Sequence, residues 1–116
     1  MARRYPRFFL DLDWFVESQG CSTLGRGLEL SVRGALLPAC RAPAHGEVTL
    51  FVSLPRRPEM FRAACRARLQ PGRGWILTFL EVSPADLQEL GQLLVSEFGV
   101  TALPELEHRP EHALRL

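Results

Sequence analysis

The chain has 116 residues, room for one domain, with 47% hydrophobic and 23% charged side chains. That composition excludes a largely disordered chain, a collagen-like repeat and a coiled coil. A formal net charge of +1 excludes a protein that gathers polyanions by bulk charge alone. All 14 basic residues are Arg, so every cationic position carries the planar fork that grips phosphates and guanine edges in pairs. The longest apolar run, 75–80, is interrupted by Thr78 and falls well short of the roughly 18 residues of a membrane span, so no membrane insertion is expected. The Arg-rich opening leads straight into alternating apolar and acidic residues. It lacks the apolar block of a secretory signal, and a cytoplasmic location is expected. Cys21, Cys40 and Cys65 are an odd, widely spaced set without a C-x-x-C, and Cys40 with His45 supplies only two ligands. Free thiols and no metal site follow.

In chain order, residues 8–17 alternate. Leu10, Leu12, Trp14 and Val16 lie on one face, with Phe9, Asp11, Asp13 and Phe15 on the other, as in a half-buried strand. The small residues at 20–23 close it. Segment 27–38 holds two short apolar runs around Ser31-Val32-Arg33-Gly34, a tight-turn composition. Segment 40–46 reads as a loop, 47–54 as a strand, and Pro55-Arg56-Arg57-Pro58 as a turn. Residues 61–69 alternate most regularly, with Arg62, Arg66 and Arg68 as a basic stripe on the outward face. A connection at 70–74 leads to a last strand at 75–80. A helix follows. Ser83 is its N-cap, Pro84 its first residue and Asp86 the partner in a capping box; Leu87, Leu90, Leu94 and Phe98 form its apolar stripe, and Gly99 ends it. These elements predict an all-β fold with one terminal helix, a six-stranded antiparallel barrel followed by an amphipathic helix. The expected organisation is a flexible arginine leader at 1–7, barrel and helix at 8–99, and an irregular tail at 100–116.

Two motifs stand out together. Arg3-Arg4-Tyr5-Pro6-Arg7 contains R-x-x-x-R directly before the first strand, and Glu29-Leu30-Ser31-Val32-Arg33-Gly34 has the form x-x-S-x-x-G at a turn between strands. This pairing resembles the PilZ domain family, bacterial receptors for cyclic di-GMP, whose signature is R-x-x-x-R followed by [D/N]-x-S-x-x-G. The resemblance spans roughly residues 3–98. It implies a PilZ-like barrel, cyclic di-GMP as ligand, and contacts from Arg3, Arg7, Glu29, Ser31 and Gly34, with Arg4 and Arg33 as auxiliary candidates. Glu29 departs from the Asp or Asn of the pattern.

The residue types suit that ligand on chemical grounds. Cyclic di-GMP is a dianion with two guanines, and each guanine offers the O6/N7 acceptor pair that an Arg fork fits. Arg also stacks on a base and bonds phosphate with charge assistance. A short acceptor and a hydroxyl at the turn can read guanine N1 and N2 donors, and glycine permits close backbone approach. Glu29 keeps the charge but reaches about 1 to 1.5 Å further, by one more C–C bond.

The first functional reading is therefore a non-enzymatic effector. It binds cyclic di-GMP, changes conformation and signals to an unidentified protein partner in motility, adhesion or exopolysaccharide control, with no cofactor. The alternative keeps the fold but has a degenerate site at Glu29 and acts by protein contact alone. A third reading binds single-stranded nucleic acid through Arg62, Arg66 and Arg68, although no nucleic acid is expected on the first two. Each residue also has a plainer reading. The leader is then a solvated basic segment, and Ser31 and Gly34 are turn residues, with a positive φ expected at Gly34. Trp14 and Trp75 pack the core, Trp75 having the alternative of abutting a base, and Asp11 and Asp13 are surface charges. His45, His108 and His112 have no partner in view.

Overall fold

The computed structural model describes residues 7–38 and 46–99. The leader positions Arg3 and Arg4, the loop containing Cys40 and His45, and the tail with His108 and His112 lie outside the described residues. Six strands and one helix follow one another: β1 (Phe8–Ser18), β2 (Cys21–Leu30), β3 (Gly34–Leu37), β4 (Gly46–Val52), β5 (Phe61–Gln70), β6 (Gly74–Val82) and α1 (Pro84–Phe98). All strand pairs are antiparallel, and the order β1-β2-β3-β6-β5-β4 closes on itself because β4 also pairs with β1. Closure gives every described strand two neighbours, although β2 meets β3 only through Glu29 and Leu30.

β2 begins earlier than its sequence suggests. Residues 20–23 do not end the sheet. Gln19 and Gly20, both at positive φ (50° and 82°), form a two-residue hairpin turn, and Cys21 pairs with Ser18 as β2 starts. The first half of β2 has no apolar alternation because its inward space belongs to Trp14. A Cβ added at Gly25 would come closer than 3.0 Å to that indole. The indole Nε1–H donates to the Gly27 carbonyl at 2.9 Å, which satisfies its polar atom inside the core. A register shift between Leu10 and Asp13 marks a bulge in β1.

The inward faces meet in one core. Leu30, Leu37, Leu50, Val52, Phe61 and Leu77 are completely buried, and Trp75 lies among them. Trp75 therefore packs the core and is not placed to abut a base. Burial pushes the Cys65 thiol up to about 12, so it stays neutral. Leu87, Leu90 and Leu94 of α1 join the core, and Phe98 stacks on Phe8 at 4.3 Å, which fixes the helix against the start of β1. Ser83 caps the helix by accepting from the Asp86 N–H at 3.1 Å. The Asp86 carboxylate takes no part in a capping box. It accepts the Arg62 N–H at 3.2 Å and pairs with Arg57, tying helix to barrel. Among the described residues no helix is long and apolar enough to cross a membrane.

Candidate ligand-binding site

The link between β2 and β3 is held from within. The Ser31 N–H donates to the Gly34 carbonyl at 2.9 Å, and the Arg33 N–H donates to Ser31 Oγ at 3.1 Å. The same hydroxyl lies 3.4 Å from the Gly34 carbonyl. Ser31 is only 3% exposed, so its hydroxyl shapes the turn. The Phe79 N–H donates to the Arg33 carbonyl at 3.0 Å and pins the turn to β6.

Gly34 is needed for a reason other than the expected positive φ, which it does not have. It faces Thr78 across the β3–β6 ladder, and a Cβ there would lie closer than 3.0 Å to the Leu77 carbonyl oxygen. Close backbone approach is the constraint.

The pairing of Phe8 with Leu30 sets Arg7 beside this turn. Arg7, Ser31, Arg33 and Gly34 then line one open depression of about 340 Å³ with Arg68 and Gln70 of β5, over Ile76 and Thr78 of β6. Arg33 and Arg68 are exposed and Arg7 is half-buried. Glu29 stands just beside the depression, its Oε1 4.0 Å from Arg7 Nε. Residues 24 positions apart in the chain thus meet at one place, and three arginines line a depression that has no acidic residue in its lining. Such a surface can bind phosphate oxygens and the acceptor edges of a purine, with an apolar floor for stacking.

Of the other sequence candidates, Arg62 and Arg66 share the outward face of β5 with Arg68 but do not line the depression. Asp11 and Asp13 each lie 3.0 Å from Arg26 as exposed ion pairs. Cys21 is an exposed and Cys65 a buried free thiol. Among the described residues no cluster of His, Cys, Asp and Glu is suited to a metal ion. Gln70, Ile76 and Thr78 carried no signal in the sequence, because only the closure of β3 onto β6 brings them beside the turn.

No family model matches the chain, and no curated protein does. Among solved structures the chain is similar to the Inhibitor of motility (MotI/DgrA) of Bacillus subtilis, with 18% identity and a TM-score of 0.49. The match covers 83% of this chain and 52% of that one, so the chain spans about half the length of that protein.

Proposed function

We propose that the protein is a PilZ-like effector that binds cyclic di-GMP at the arginine depression and passes the signal to a protein partner. One observation carries the reading. Arg7, from the R-x-x-x-R segment, lines the same depression as Ser31, Arg33 and Gly34 of the turn. Arg7 and Arg33 serve the phosphates and the O6/N7 edge of guanine, and Arg68 adds a third positive charge. The buried hydroxyl of Ser31 and the close approach at Gly34 hold the turn at the right height. Arg3 belongs to the same leader and closes over the bound nucleotide, with Arg4 as an auxiliary contact.

A second reading draws on a different observation. Glu29 already faces Arg7 at 4.0 Å, a carboxylate where the ligand's anionic group would go. In that reading the site is degenerate and the domain works by protein contact alone. Titration calorimetry with cyclic di-GMP separates the two: saturable binding that Arg7→Ala weakens supports the effector, and no heat at any accessible concentration supports the degenerate site.

A further inference from the structure

The arginines of the depression match only part of what a guanine displays. Their N–H groups suit its O6 and N7, whereas the N1–H and the 2-amino group are donors and need acceptors. Of the side chains that line the depression, only Ser31, Gln70 and Thr78 carry an acceptor oxygen. Ser31 is committed to the turn, where its buried hydroxyl accepts the Arg33 N–H at 3.1 Å. Glu29, which the sequence motif puts forward for this task, stands outside the lining with its carboxylate towards Arg7. The side-chain acceptor therefore comes from β5 or β6.

Gln70 has the position and the free oxygen. It follows Arg68 by two residues on β5, so both side chains leave the same outward face about 7 Å apart, the rise of two strand residues. Arg68 pairs across the ladder with Ile76, the apolar floor, and Gln70 pairs with Gly74, which has no side chain to crowd the amide. The backbone carbonyl of Gln70 accepts the Arg73 N–H at 3.0 Å and holds the hairpin. Its half-buried side-chain amide has no hydrogen-bond partner among the described residues. A purine resting on Ile76 thus has a guanidinium beside it and an uncommitted amide one step further along the strand. Thr78 stands instead opposite Gly34, at the level of the turn and its phosphate-binding arginines.

We infer that Gln70 selects guanine, its amide oxygen accepting an N–H of the 2-amino group of the base held over Ile76. This rests on the reading that the depression binds cyclic di-GMP, and it gives the selection of one base to a residue outside both sequence motifs.

Calorimetry with cyclic di-GMP and with cyclic di-inosine monophosphate tests it, because the two ligands differ only in the 2-amino groups. The parent should prefer cyclic di-GMP. Gln70→Ala should cut that preference by about fivefold, the worth of one neutral hydrogen bond, and leave affinity for the inosine ligand near the parent's. Gln70→Glu keeps an acceptor and should keep the preference. A side chain that merely shaped the hairpin would weaken both ligands equally when removed. Equal weakening, or an unaltered preference in Gln70→Ala, would overturn the inference. A preference lost in Thr78→Val but not in Gln70→Ala would assign the 2-amino group to Thr78 and overturn it as well. A parent that binds neither nucleotide defeats the cyclic di-GMP reading and the inference with it, whereas binding with an unaltered preference defeats the inference alone.

Discussion

The Ser31–Gly34 turn and the arginines around it are neighbours with opposite obligations. Ser31 and Gly34 are committed inward. The hydroxyl accepts a backbone N–H, and the glycine makes room for a carbonyl of β6. Arg7, Arg33 and Arg68 line an open depression and stand outside the core cluster. The turn and its surroundings therefore combine residues held inward by the fold with residues that stay at the surface. Stability and affinity should separate along that line.

Gly34→Ala should have the largest effect. The new methyl would meet the Leu77 carbonyl, whose strand is held in the ladder with β3 and cannot easily retreat. A loss of about 3 kcal/mol is expected from such overpacking, measured by chemical denaturation. A variant as stable as the parent would mean that the β3–β6 approach is looser than described. Arg7→Ala should do the reverse: unfolding is unchanged, while calorimetry shows affinity for cyclic di-GMP reduced by about 1.5 to 3 kcal/mol, the worth of a charged hydrogen bond.

The same division explains what could be foreseen. Alternation fixed β1, β4, β5 and β6 because each has a plain inward face, such as Phe61, Ala63, Cys65 and Ala67 in β5. The start of β2 was illegible because a tryptophan from the neighbouring strand fills the space its own side chains would otherwise occupy. Asp86 looked like half of a capping box, since local sequence does not show that Arg57 and the Arg62 amide are its partners. At the site, Arg7 and the turn could be read from the chain, whereas Arg68 was legible only through the Arg62, Arg66 and Arg68 stripe, whose alternatives were a wet face or counter-charge near the ligand. The place of Arg68 beside the turn is a consequence of β6 lying between β3 and β5. Local patterns reveal elements and motifs; non-local closure decides which outward faces share a depression.

Ser31→Ala sharpens the comparison at the boundary between the two groups. The change removes one buried acceptor of a backbone N–H, so stability should fall by about 1 kcal/mol. Affinity should follow only as far as the turn loosens. A much larger loss of affinity than of stability would place the hydroxyl on the ligand and move Ser31 into the arginine group.

The smallest effect is expected from Glu29→Asp, and it is the most informative about this site. Shortening the side chain draws the carboxylate back by about 1 to 1.5 Å, one C–C bond, from its position 4.0 Å from Arg7. Two consequences act in the same direction. Arg7 loses a half-exposed counter-ion worth about 0 to 1 kcal/mol and turns more readily to an anionic ligand. The acceptor also gains the length that the resembled motif uses to read guanine donors. Affinity for cyclic di-GMP should therefore rise by a few fold, roughly 0.5 to 1 kcal/mol, with stability unaltered. Unchanged affinity would remove Glu29 from the site. Repeating the substitution in an Arg7→Ala background apportions the gain, since coupled residues fail to add. If the tightening survives there, Glu29 meets the ligand itself; if it vanishes, the glutamate acts by holding Arg7 back.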